Sequence, residues 1–98
     1  MDYKEIVRSA LRCWGTQHQV VVAIEEMSEL QKELCKLERG NADMNHIAEE
    51  IADVEIMLAQ MKEAFNLSHS VETHKYFKLQ RLDLRVHAIE EARKNGQV

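Results

Sequence analysis

The chain has 98 residues, with 13 basic and 17 acidic side chains, a formal net charge of −4, three glycines and no proline. That length reads as one domain spanning residues 1–98, with a core modest enough that oligomerisation is a common remedy. The acidic balance argues against non-specific nucleic-acid binding, and no apolar run is long enough to span a bilayer.

The N-terminal residues carry no apolar stretch of the signal-peptide kind. The two cysteines, Cys13 and Cys35, have neither metal-ligand nor disulfide-framework spacing, and read as free thiols. A cytoplasmic protein is the expectation. With few helix breakers and abundant Glu, Leu, Lys and Ala, the fold class is all-α.

The first predicted helix runs from about Tyr3 to Trp14 and closes at Gly15. Thr16-x-x-Gln19 has the form of a capping box opening the second helix, which runs to about Leu37. Its apolar seam is Val20, Ala23, Met27, Leu30, Leu34 and Leu37, in steps of three and four. Arg39-Gly40-Asn41 stops it, with Gly40 as a left-handed cap. Asn41 or Asp43 caps the third helix, whose seam is Ile47, Ile51, Val54, Leu58, Met61 and Phe65, and which ends at Asn66. The fourth helix, capped by Ser68 or Ser70, aligns Tyr76, Leu79, Leu82, Val86 and Ile89 and frays at Lys94-Asn95-Gly96. A short loop joins the long second and third helices, so they should pack as an antiparallel hairpin. The expected architecture is that hairpin with flanking helices, a four-helix bundle completed by a second copy.

An acidic repeat lies on the hairpin. Glu25-Glu26-Met27-Ser28-Glu29 parallels Glu49-Glu50-Ile51-Ala52-Asp53. Glu26 with Glu29, and Glu50 with Asp53, are three residues apart and share a helix face beside the apolar seam. If the hairpin pairs these positions, four carboxylates meet at the edge of a core. Two like charges about 5 Å apart repel by roughly 3 kcal/mol at an effective dielectric near 20. Several such pairs rival the stability of a small domain, so the cluster must take up protons or bind a cation. All-oxygen ligation without His or Cys suits Mg²⁺, with Mn²⁺ as a substitute, rather than Zn²⁺. Against this stands the ordinary reading of such acids as a solvated helix face.

On the last helix His74, Lys78, Arg81 and Arg85 follow steps of four, three and four. Such a stripe suits phosphate oxygens, and equally a solvated face.

These motifs together resemble the MazG-like all-α nucleotide pyrophosphohydrolases, especially the short bacterial and phage forms. The likeness rests on Glu25-Glu26-x-x-Glu29 followed by Glu50-x-x-Asp53. It extends to Trp14-Gly15-x-Gln17, to Arg39-Gly40, and to Lys78-Leu79-x-Arg81-Leu82-x-x-Arg85, covering about residues 10 to 85. The resemblance implies Mg²⁺-dependent hydrolysis of a nucleoside triphosphate to the monophosphate and pyrophosphate, by a homodimer or homotetramer. It implies Glu26, Glu29, Glu50 and Asp53 as metal ligands. Of the spare acids, Glu25 rather than Glu49 is the candidate catalytic base. Lys78, Arg81 and Arg85 are candidates for the triphosphate, and Trp14 and Gln17 for the base, although a core position is the weightier expectation for Trp14. His18 and His46 read as helix-start residues. The chain lacks the insertions by which longer relatives enclose a base. A phosphoribosyl-ATP pyrophosphohydrolase and a non-catalytic helical interaction protein are the competing readings.

Overall fold

The computed structural model describes residues 2–96, and among them the regular structure is four α-helices. They are α1 (Tyr3–Trp14), α2 (Thr16–Glu38), α3 (Met44–Ala64) and α4 (Ser68–Lys94). The chain divides after Leu67 into two compact units, a three-helix unit and one built on α4.

Local chemistry sets each boundary. At the start of α1, Asp2 Oδ1 accepts from the Glu5 backbone N–H at 2.8 Å, and Glu5 Oε2 accepts from the Asp2 N–H at 3.4 Å. This is a reciprocal capping box. Gly15, at φ 85°, ends α1 and begins α2: its N–H donates to Leu11 and its carbonyl accepts from Gln19. Thr16 is therefore already helical, and the capping box expected of Thr16 and Gln19 does not form. Gln19 is instead buried, with its side chain committed elsewhere. The end of α2 follows the expectation, with Gly40 at φ 73° and the Asn41 N–H bonded to the Lys36 carbonyl. Asp43 caps α3 by accepting from the Asn45 N–H at 2.9 Å, and Asn66 turns out of it at φ 54°. The fourth helix begins at Ser68, so Ser68 and Ser70, the two expected caps, both lie within it rather than flanking it.

Within the first unit, α2 and α3 form an antiparallel pair against which α1 packs. The register is fixed by two contacts: Gln19 near the start of α2 meets Gln60 near the end of α3, and Glu26 meets Glu50 and Asp53 further in. The buried apolar residues are Val7 from α1, Ala23 from α2, and Ile47 and Met57 from α3.

The packed stripes differ from the predicted seams by one position. On α2 the stripe runs through Gln19, Ala23, Glu26, Leu30 and Glu33; on α3 it runs through Ile47, Glu50, Val54, Met57 and Gln60. The predicted residue gives way to the one before it at six places: half-buried Val20 to Gln19 and half-buried Met61 to Gln60, and the more exposed Met27 to Glu26, Leu34 to Glu33, Ile51 to Glu50 and Leu58 to Met57. The last four displaced apolar residues are 42–45% exposed. Both helices are apolar on more than one face, and the face chosen carries the acids inward.

Polar residues on a packed stripe need partners. Gln19 Nε2 donates to Gln60 Oε1 at 2.7 Å, Gln60 Nε2 donates to Met57 Sδ at 3.4 Å, and His18 Nδ1 lies 2.7 Å from Gln19 Oε1. Replacing Gln60 by Leu strands the Gln19 amide, an expected loss of about 1–3 kcal/mol in urea unfolding. The double variant Gln19→Leu/Gln60→Leu should be more stable than Gln60→Leu. A double variant as weak as the sum of both singles would show that the pair is uncoupled.

Described by itself, α4 is a 27-residue helix with no buried residue. Tyr76, Leu79, Leu82, Val86 and Ile89, aligned on one face, are 45–58% exposed. Among the described residues no helix is long and apolar enough to cross a membrane.

Candidate metal centre

The register of the α2–α3 pair brings acids from two helices to one point. One carboxylate oxygen from each of Glu26, Glu50 and Asp53 lies within 4.8 Å of the others. Glu26 and Glu50 are half-buried, because they sit on the packed stripes, and Asp53 is exposed at the opening. One oxygen of Glu50, Oε2, is buried without a hydrogen-bond partner.

The electrostatics follow from this geometry. Burial pushes the Glu26 carboxyl above its ordinary pKa, helped by the nearby carboxyl groups of Asp53, Glu50 and Glu29. Glu50 is likewise raised, first by burial and then by Asp53, Glu29, Glu33 and Glu49. A site that raises the pKa of its own carboxylates favours a bound positive charge, and a cation supplies one. The donors are all oxygen, which fits a hard divalent ion. The orphaned Glu50 oxygen is the observation that this fit rests on.

Glu29 is exposed and stands outside the three-residue group, although its charge raises both Glu26 and Glu50. The structure thus brings three of the four predicted ligands together and leaves the fourth beside them. Glu25 is exposed, four residues from Glu29 and on its side of α2. Glu49 is also exposed and accepts from Asn45 Nδ2 at 3.2 Å. Trp14 is 61% exposed rather than a core residue, because it ends α1 where Gly15 turns the chain. Gln17, His18 and His46 are exposed, as are both free thiols, Cys13 and Cys35.

In the second unit Lys78, Arg81 and Arg85 are all exposed on α4. Among the described residues of that helix, Lys75 pairs with Glu72 at 3.7 Å, and these three pair with no carboxylate of α4.

Two features of the site were not singled out from the sequence. One is the placement of Glu26 and Glu50 on the packed faces; the other is buried Glu33, one turn beyond Glu29. The signal for Glu33 was present, since it lies seven residues from Glu26 and shares its helix face. The chain matches no family model, no curated protein and no solved structure, so the family resemblance stands on its motifs.

Proposed function

We propose that this protein is a Mg²⁺-dependent nucleoside triphosphate pyrophosphohydrolase of the MazG-like kind, acting in the cytosol on ribo- or deoxyribonucleotides. One observation carries the reading: Glu26, Glu50 and Asp53, from two facing helices, present carboxylate oxygens within 4.8 Å of one another. They stand at three of the positions that the motif resemblance assigns to metal, and Glu29, the fourth, is adjacent.

In this reading Glu26, Glu29, Glu50 and Asp53 hold Mg²⁺, with Mn²⁺ as a substitute. The ion would supply positive charge to the phosphate oxygens and to the pyrophosphate as it leaves. Glu25, on the same side of α2 as Glu29, orients a water and takes its proton as the water oxygen bonds to the α-phosphorus. The bond from that phosphorus to the bridging oxygen breaks, and pyrophosphate departs. Lys78, Arg81 and Arg85, exposed on α4, are by their chemistry candidates for charge-assisted hydrogen bonds to phosphate oxygens. Trp14 and Gln17 are available to the base, and the exposure of Trp14 favours stacking over a core role.

The proposed assembly is a homodimer or homotetramer. Its support is the apolar surface the single chain leaves open, including Met27, Leu34, Ile51 and Leu58 on the hairpin.

The test is a panel of ribo- and deoxynucleoside triphosphates incubated with Mg²⁺, with pyrophosphate and monophosphate measured as products. Release of both in equal amounts from at least one triphosphate is expected, and chelation of the metal should stop it. Cleavage of phosphoribosyl-ATP alone would move the protein to that neighbouring activity. No release from any nucleotide would leave a non-catalytic helical protein as the reading.

A further inference from the structure

A further acid of α2 lies outside the motif, one turn beyond Glu29 and two beyond Glu26. Glu33 is 7% exposed, the most buried acid among the described residues. Its Oε1 accepts from Lys36 Nζ at 3.1 Å. Its Oε2 is buried and has no hydrogen-bond partner. A buried carboxylate oxygen without a donor costs more than the same atom in water, and native structures leave few of them.

An ordinary Glu–Lys pair three residues apart on a helix is solvated at both ends. Here the burial is lopsided: the Glu33 side chain is 9% exposed and that of Lys36 is 33% exposed. Lys36 compensates charge and leaves one oxygen unserved.

The direction of Glu33 follows from the helix register. It lies four residues after Glu29 and seven after Glu26, on the face that packs against α3. With Glu26 opposite Asp53, Glu29 is level with Glu50 and Glu33 is one turn beyond. The charge of Glu33 is among those felt by Glu50. The two buried orphan oxygens among the described residues are Glu33 Oε2 and Glu50 Oε2, on facing helices and one turn apart in register. As ionised carboxylates both are acceptors, and a hydrogen-bond donor or a cation would serve them. Mg²⁺ keeps part of its hydration shell when bound by proteins, and those waters are donors.

We propose that Glu33 is a positioning residue of the metal centre, whose buried Oε2 accepts a hydrogen bond from a water on a divalent cation held by Glu26, Glu50 and Asp53. Lys36 holds the carboxylate in place through its other oxygen. The inference rests on the metal-binding part of the proposed function and adds to it an acid outside both motifs.

The experiment uses the full chain with MgCl₂ or MnCl₂ alone and no nucleotide, reading melting temperature against metal concentration. Glu33→Leu removes the acceptor at similar size, Glu33→Gln removes the charge, and Glu49→Gln controls for the loss of one nearby negative charge. Loss of an outer-shell partner typically weakens metal binding by about 10- to 100-fold. Glu33→Leu should raise the metal concentration at half-effect by at least about tenfold. Glu33→Gln should raise it by more than Glu49→Gln does, and metal-free melting should be no lower than wild type for Glu33→Gln. Should Glu33→Leu fail to fold, the comparison of Glu33→Gln with Glu49→Gln decides. If wild type responds to metal and the Glu33 variants respond as wild type or as Glu49→Gln does, the role of Glu33 is overturned and the metal centre stands. If wild type itself does not respond, both fall together.

Discussion

Asp53→Ala is expected to remove both the Mg²⁺ response of the fold and the release of pyrophosphate. A ligand that binds only the folded state stabilises it in proportion to the logarithm of its concentration. At about ten times the dissociation constant this amounts to roughly 1.4 kcal/mol, or about 5–10 °C for a chain of this size. Wild type should show a rise of that order in millimolar Mg²⁺. Asp53→Ala should show none, because it removes one of three oxygens that lie within 4.8 Å of one another. Without metal the variant should melt no lower than wild type, since Asp53 is exposed and its charge opposes those of Glu26 and Glu50. In the nucleotide assay the loss should be at least about 10²-fold, the rate equivalent of about 3 kcal/mol of transition-state stabilisation. Equal melting shifts in the two proteins would remove Asp53 from the site. A helical protein with no catalytic role predicts no Mg²⁺ shift in either.

The second large effect is an inverted pH dependence. Glu26 and Glu50 are both raised above the ordinary Glu value by burial and by neighbouring carboxylates. A carboxyl raised in the folded state binds its proton more tightly there than in the unfolded chain. Its favourable contribution is complete below the unfolded pKa and is lost as pH rises through the folded value. Metal-free protein should therefore lose stability from these two groups as pH climbs out of the ordinary carboxylate range towards neutrality. Glu50→Gln, which mimics the protonated form, should melt above wild type at neutral pH and close to it below about pH 4.

Glu63 acts in the opposite sense. The hydrogen bond from Arg8 Nε, at 2.6 Å, lowers its pKa, so its contribution is present above the ordinary Glu value and lost in acid. It is common to both proteins and cancels in the comparison. Added Mg²⁺ should reverse the order at neutral pH, because metal ligands must be deprotonated and Glu50→Gln has lost one. Melting curves in chelator and in Mg²⁺ across pH check all three statements. A Glu50→Gln variant no more stable than wild type at neutral pH without metal would show that the carboxylates do not strain the fold.

Much of the molecule was legible as a string of letters. Helix content and most stops follow from residues that act locally: Gly15 and Gly40 at positive φ, Asp43 as a side-chain cap, Asn66 as a left-handed turn residue. The acidic spacing was legible for the same reason, since residues three and four apart share a helix face whatever surrounds them. The packing face was not legible. Around Ala23 the chain reads Val20-Val21-Val22-Ala23-Ile24, apolar in every direction, so periodicity allows more than one stripe. Gln19 fitted a local capping box, and its long-range bond to Gln60 prevailed.

Four helices, their approximate ends and two acidic triplets follow from the order of residues alone, because these depend on backbone conformation and on neighbours within one helical turn. Tertiary structure decided which stripe of α2 faces α3. That choice, one residue away from the most apolar seam, turned Glu26, Glu33 and Glu50 inward and brought Asp53 to the mouth of the group. No count along one helix contains it, because it depends on how two helices mesh. It also draws carboxylates of two helices together, so that their negative charges oppose one another.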